Sequence, residues 1–267
     1  MQLEPFSART PLSVFSSLSP AEKARQLSNP EGPVGLEVAE WLNGNNRQAN
    51  AAIIALLGIE PGCHVLEIGF GNGRAASAVI DQSKDVRYAG IDISPTMLEE
   101  AKRFNAALVA AGRASFHLTS AEHLPFADTS FDRVFAIGVI HFWSDPIIPL
   151  VEIRRVMRPG GLAVMGAADP RSRQEFMRPE FGFLLRSAEE WRSLFQQAGF
   201  STVDAQSIET EGITPDGTLT EQPPAISRWV QGLSIGNRLS SAICSPSCSS
   251  MYSLIISSVI VPELTAR

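Results

Sequence analysis

The sequence predicts an α/β fold, a doubly wound and mostly parallel sheet in an α/β/α sandwich with additional helices on its N-terminal side. Two observations carry that expectation. From His64 to about Ala205, short apolar runs of strand length alternate with longer stretches of helical period, which is how a parallel sheet covered on both faces reads. The first strand-to-helix turn, Gly69-Phe70-Gly71-Asn72-Gly73, places three glycines at alternate positions, as a backbone that must come close to a ligand requires. A chain of 267 residues suits one such domain with additions, and 44% apolar residues suffice to close its core.

Residues 1–34, rich in Pro and Ser, are expected to form an extended arm with one short helix around Ala21 to Leu27. Two helical stretches are expected between Gly35 and Leu57, the second with Ala49, Ile53 and Leu56 or Leu57 on one face. His64 to Ile68 then reads as a short buried strand, followed by a helix with Ala75, Ala76, Val79 and Ile80 as its apolar stripe. Val86 to Ile91 is the second strand. Ser94 caps the next helix with Pro95 at its first position, and Met97, Ala101, Phe104 and Leu108 keep helical spacing as far as Gly112.

Ala114 to Leu118 and Phe131 to Gly138 supply the third and fourth strands. Asp145-Pro146 starts a helix with Ile147, Leu150, Ile153 and Met157 inward, and Pro159-Gly160-Gly161 turns into the fifth strand, Leu162 to Ala167. Ser187 and Glu190 form a capping box for a helix carrying Trp191, Leu194, Phe195 and Ala198 on one face, ended by Gly199. A sixth strand lies near Phe200 to Ala205. No internal repeat is found. The domain is therefore expected over 35–210, with 211–267 an atypical Ser-rich segment whose apolar Met251 to Val261 reads as an edge strand or an unpacked tail. At about 16 Å as a helix that stretch is too short to span a bilayer core of about 30 Å.

Composition limits the function. A formal net charge of −6 leaves no broad basic field, so a small-molecule partner is expected and nucleic acid is not. The N-terminal residues lack the basic start and unbroken apolar run of a signal peptide, and no membrane span is read, so a cytoplasmic protein is expected. Cys63, Cys244 and Cys248 fit reduced thiols, and no metal site is expected from the Cys244/Cys248 pair, which has no second pair and no nearby His.

The glycine turn is preceded by Glu67 at the strand end. Nicotinamide and flavin enzymes use G-x-G-x-x-G against a pyrophosphate, and the third position of that pattern is Arg74 here. A carboxylate beside the turn repels a pyrophosphate and attracts a ligand carrying an ammonium and a sulfonium. The second strand ends at Asp92, where a carboxylate can accept both hydroxyls of a ribose, and Ile93 can cover one face of an adenine. The plainer readings are that Glu67 pairs with a Lys or Arg and that Asp92 starts a turn. An NAD-dependent oxidoreductase and a non-catalytic cofactor-binding protein stand as alternatives.

From about Gly35 to Val203 the chain resembles the class I S-adenosylmethionine-dependent methyltransferases, in the small-molecule branch that includes quinone- and sterol-type enzymes. The resemblance rests on Val65-Leu66-Glu67-Ile68-Gly69-Phe70-Gly71-Asn72-Gly73, Gly90-Ile91-Asp92-Ile93-Ser94-Pro95-Thr96-Met97-Leu98, Ala121-Glu122-His123-Leu124-Pro125-Phe126, Ser130-Phe131-Asp132 and Arg158-Pro159-Gly160-Gly161. It implies a Rossmann-like methyltransferase fold with S-adenosylmethionine as cofactor. Glu67, Gly69, Gly71 and Gly73 would hold the methionine part, Asp92 the ribose, and Ala121 with Glu122 the adenine, with Phe70 also among the cofactor contacts. The family's sheet usually ends in a reversed hairpin of sixth and seventh strands, and the Ser-rich segment shows no clear seventh strand.

The resemblance implies methyl transfer to O, N or C of a small, partly apolar acceptor, an in-line displacement in which alignment contributes most. His141, just past the fourth strand, sits where the methyl should point and is a candidate base, or a packing or orienting residue. Trp143 is a candidate pocket wall. Trp41, Asn46 and Arg47, with Phe176, Met177, Phe181 and Phe183, are candidates for a lid over the acceptor. His123, beside the adenine contacts, is not expected to be catalytic. The Asn/Asp-Pro-Pro-aromatic block of amino-directed DNA methyltransferases and a Pro-Cys pair are both absent.

Overall fold

The N-terminal helices start where short polar side chains can satisfy their free amides. In the computed structural model, which describes residues 15, 17–171, 175–210 and 252–260, helix α1 (Pro20–Ser28) opens with a reciprocal capping box between Ser19 and Glu22. Helices α2 (Gly32–Asn45) and α3 (Arg47–Leu56) follow, so the first of the two expected stretches begins already at Gly32. Residues 1–14 and the segment containing Cys244 and Cys248 lie outside the described residues. Cys63 is a buried free thiol.

Strand β1 (His64–Ile68), helix α4 (Ala75–Ile80), strand β2 (Arg87–Asp92), helices α5 (Pro95–Phe104) and α6 (Ala106–Ala110), and strand β3 (Ala114–Leu118) build one half of the sheet. Strand β4 (Phe131–Ile137), helix α7 (Ile147–Val156), strand β5 (Met157–Ala168), helix α8 (Ala188–Gln197) and strand β6 (Thr202–Thr210) build the other, joined by β7 (Tyr252–Ile260). The order is β3-β2-β1-β4-β5-β7-β6. The first five strands are parallel, and β7 runs antiparallel to both β5 and β6. Progression reverses between the neighbours β1 and β4, so the ligand crevice lies outside their carboxyl ends.

Alternation along the strands sends side chains into two apolar layers. Leu66, Ile68, Ile91 and Val134 pack with Leu150, Ile153, Trp191 and Phe195 of α7 and α8. Val65, Tyr88, Phe116 and Phe135 pack with Ile53 of α3, Val79 of α4 and Met97 of α5. The cap of α5 is as the sequence indicates, with Ser94 Oγ accepting the Met97 amide. The capping box of Ser187 and Glu190 on α8 is also present.

Met157, expected on the inner face of α7, instead begins β5, and β6 runs on to Thr210; two further elements differ from expectation. The helix expected to run from Ser94 to Gly112 breaks at Asn105, whose buried amide donates to both Gly73 O and Ala101 O at 3.0 Å. A side chain that bonds its own preceding turn and the glycine loop competes with continued helix, a habit of Asn that spacing alone does not reveal. The second difference concerns the last strand: Tyr252–Ile260 is neither a tail nor an edge but lies inside the sheet, paired on both sides by β5 and β6. Its serines hid it, because a strand between two antiparallel partners needs backbone pairing more than an alternating pattern.

Candidate active site

The glycine turn after β1 adopts the backbone its composition implies. Gly69, Gly71 and Gly73 have φ of +75°, +54° and +74°, a region costly to residues with a Cβ. The turn leans on the end of β2: Gly69 and Phe70 donate to Ile91 O, and Gly71 N–H donates to Asp92 Oδ2 at 2.9 Å. Asp92 Oδ1 accepts from Ser94 N at 2.9 Å. Asp92 therefore joins the two loops that face the crevice. Burial raises its carboxyl above the ordinary range, against the lowering effect of the Ser94, Gly71 and Ile93 amides.

Glu67 is buried at the end of β1 and accepts a short hydrogen bond from the Tyr88 hydroxyl. It has no cationic partner among the described residues, and burial pushes its carboxyl up to about 8. The plain reading of a Lys or Arg pair does not hold. Gly90 makes this contact feasible: it lies beside Glu67 in the ladder, and a Cβ there would sit 2.8 Å from both Tyr88 Oη and Phe70 Cδ1.

Helix α2 is strapped across both loops. At its start Ser94 Oγ donates to Pro30 O, and Gly32 N–H donates to Thr96 Oγ1 at 3.1 Å. Further along, Glu40 Oε1 accepts from Arg74 Nη2 at 2.6 Å and from Asn72 Nδ2 at 3.1 Å, while Asn43 Nδ2 donates to Asn72 Oδ1 at 3.1 Å. Asn72 is 3% exposed, so these partners meet a real demand. Arg74, where a dinucleotide turn has its third glycine, is held by Glu40 and stacks 3.8 Å over Phe104.

Ile93, Ala121 and Glu122 are the residues expected near an adenine. Ile93 is 51% exposed directly after Asp92, and in the loop after β3 Ala121 is buried and Glu122 exposed. The remainder of that loop is held structurally, with Leu124 N–H donating to Glu152 and Arg155 donating to Leu124 O and Phe126 O. The Asp132 and Arg158 blocks meet in an ion pair, and Asp132 also accepts the His64 amide. Both belong to the scaffold at the opposite end of β1.

His141 lies in a short turn after β4 (Ile140–Phe142). Its Nδ1 accepts the Ala168 amide at 3.3 Å, its carbonyl accepts from Leu184 N–H at 2.8 Å, and its ring stacks on Phe183 at 5.2 Å. Burial lowers its pKa to about 3. A lone pair already engaged and a ring this hard to protonate weigh against a general base here and favour the packing or orienting role. Trp143 is half-buried against the core.

Of the lid candidates, three are joined in a chain of ring contacts. Phe183 meets Phe176, and Phe176 meets Phe15, which packs on Trp41 at 5.5 Å. Arg47 is exposed at the start of α3, and Phe181 ends a short turn; neither takes part in the ring contacts among the described residues. Sequence reasoning missed Glu40, Asn43, Asn72 and Tyr88 as partners, and Phe15 as a link in the chain of rings. A Tyr two positions before Gly90, on the same face of an apolar strand, was the one available signal.

A family profile described as a methyltransferase domain matches residues 66–165. O-methyltransferase resE of Aspergillus sclerotiorum is 32% identical over 165 residues, covering 58% of this chain and 61% of the relative. O-methyltransferase rstn1 of Aspergillus nomiae is 31% identical over 165 residues, covering 57% of this chain and 71% of the relative. The chain thus spans about three fifths of the first of these. Among solved structures, a SAM-dependent methyltransferase from Aquifex aeolicus shares the fold at a TM-score of 0.55 and 17% identity, covering 92% of this chain and all of the other.

Proposed function

The chain belongs to the class I S-adenosylmethionine-dependent methyltransferases, and on that footing we propose that it methylates an oxygen of a small, partly apolar acceptor. The observation that carries this reading is the buried Glu67 carboxylate, without a cationic partner among the described residues, beneath three positive-φ glycines. Burial leaves this carboxyl holding its proton to about pH 8, so a ligand with an ammonium and a sulfonium gains by drawing out its ionised form, which a dinucleotide pyrophosphate would oppose. The residues present fit S-adenosylmethionine: Glu67 with Gly69, Phe70, Gly71 and Gly73 for the methionine part, Asp92 for the ribose, and Ile93, Ala121 and Glu122 around the adenine. When bound, that cofactor supplies a methyl group on a sulfonium leaving group.

The chain's own part is to align and enclose. Asp92 holds both loops in register, and the Glu40–Asn72–Arg74 network fixes α2 against the glycine turn, so the site is preorganised before any ligand enters. The rings of Trp41, Phe15, Phe176 and Phe183 form an apolar cover on the acceptor side, with Trp143, Arg47 and Phe181 as outer wall. The unit doing this comprises 35–210 together with strand β7. The net charge of −6 favours small acceptors over nucleic acid, and a cytoplasmic location suits them. No helix among the described residues is long and apolar enough to cross a membrane.

The test is calorimetry with S-adenosylmethionine and S-adenosylhomocysteine, followed by an acceptor screen with tritiated methyl donor. Micromolar binding and label transfer to an oxygen are expected. Binding of NADH in their place would refute the reading.

A further inference from the structure

We propose that His141 receives an aromatic hydroxyl of the methyl acceptor as a hydrogen-bond donor, through Nε2–H, with the acceptor's ring lodged against Phe142 and Phe176. The inference rests on the methyltransferase reading above and names the substrate class of that site.

The argument begins with the tautomer. A backbone amide can only donate, so the Ala168 N–H bond to Nδ1 requires a lone pair on that nitrogen. In a neutral imidazole the single proton is then on Nε2. Burial keeps the ring neutral across the working pH range. His141 is 5% exposed, yet Nε2 has no hydrogen-bond partner among the described residues. Nor is it one of the fully enclosed unpaired atoms, which are Asn29 Oδ1, Glu37 Oε1, Asn50 Oδ1 and Trp191 Nε1. A fixed N–H at the carboxyl end of the sheet thus keeps a small opening and lacks an acceptor, a placement that a ligand oxygen would satisfy. The ring is held by its stack on Phe183 and by the Ala168 amide on Nδ1.

The surroundings select the ligand. Phe142 lies 4.4 Å from the His141 ring and 4.7 Å from Phe183, and Phe176 lies 6.1 Å from Phe183. Phe142 and Phe176 are each half-buried. Edges and faces of this kind receive a flat π surface better than a flexible chain.

The chemistry is also consistent. A phenolic hydroxyl has an ordinary pKa near 10, and a neutral donor aimed at its oxygen favours the ionised form. The proton leaves to water, and the oxyanion that remains stays bound to Nε2–H. No protein base is then required. Asp169, next to the Ala168 amide, is engaged by Arg171 and does not compete for the ring.

The experiment uses the full chain saturated with S-adenosylhomocysteine and 4-nitrophenol as a chromogenic probe, titrated between pH 5 and 9. The probe should ionise at least about one pH unit lower on wild type than on His141→Phe, a tenfold difference, since burial among the rings acts on both alike. His141→Gln, whose amide N–H reaches about as far as Nε2–H, should keep most of that difference. His141→Phe, which keeps the stack on Phe183, should leave S-adenosylhomocysteine affinity within about twofold. Equal ionisation of the probe on wild type and His141→Phe, absent saturable binding of the probe, or a Gln variant indistinguishable from Phe overturns the proposal. Failure of S-adenosylhomocysteine to bind wild type would instead overturn the methyl-donor reading.

Discussion

Replacing Glu67 by Gln should stabilise the ligand-free protein, and the gain should grow with pH. Burial sets the folded pKa at about 8 against an ordinary 4.5. In that interval the folded state holds a proton that the unfolded state has lost. Stability from this group is therefore complete below 4.5 and is lost as pH rises through 8. A separation of about 3.5 pK units corresponds to roughly 5 kcal/mol at most, and relaxation with water entry around the charged form reduces it to ~1–3 kcal/mol. Urea denaturation of wild type and E67Q at pH 5, 6.5 and 8 should show curves that coincide at pH 5 and separate toward pH 8. The same proton should be displaced by a cationic ligand. Calorimetry at pH 6.5 in buffers of different ionisation enthalpy should report release of close to one proton when S-adenosylmethionine binds wild type, and none for E67Q. Parallel stability profiles together with equal proton release by the two proteins would refute the argument.

Three other outcomes follow from the same geometry. Asp92→Ala should weaken S-adenosylhomocysteine binding at least about tenfold, as the loss of charge-assisted bonds worth about 1.5–3 kcal/mol implies, measured by calorimetry. Gly73→Ala combines a φ of +74° with a Cβ 2.8 Å from both Ala101 Cβ and Asn105 Nδ2, so chemical denaturation should show a loss of about 2–4 kcal/mol; a change below 0.5 kcal/mol would mean that the loop is free to move. Glu40→Ala should cost under about 1 kcal/mol through its half-exposed ion pair with Arg74 but raise the S-adenosylhomocysteine Kd several-fold. Glu40→Gln, which can still accept from Asn72, should retain most of the affinity.

The parts of this molecule that declare themselves in sequence obey a local rule. Ser94-Pro95 and Ser187 with Glu190 are helix starts because an oxygen must meet a free amide within one turn. The glycine turn is legible because alternating residues without a Cβ have few other uses. Glu67 and Asp92 could be singled out because each ends a strand on the crevice side. What stayed hidden depends on distance along the chain. Asn72 has its partners on α2, brought across by folding. Asn105 looks like an ordinary helical residue until its contact with Gly73 is seen. The environment of His141 was equally unreadable, since its role turns on a backbone amide from β5 and a ring from the loop beyond it.

The position of β7 has a bearing on how the chain is made. It reaches the sheet from residues 252–260 yet must seat between β5 and β6, which precede it. At about 5–20 residues per second, roughly 5–20 s separate completion of β5 from emergence of its neighbour. During that interval β5 presents its outer edge, Leu162 to Ala168, without the partner it will have. An open apolar edge of this kind pairs readily with another chain. Slowed translation late in the message, or loss of the final stretch, should therefore show first as aggregation during synthesis, before any defect in the glycine turn or its acids is felt.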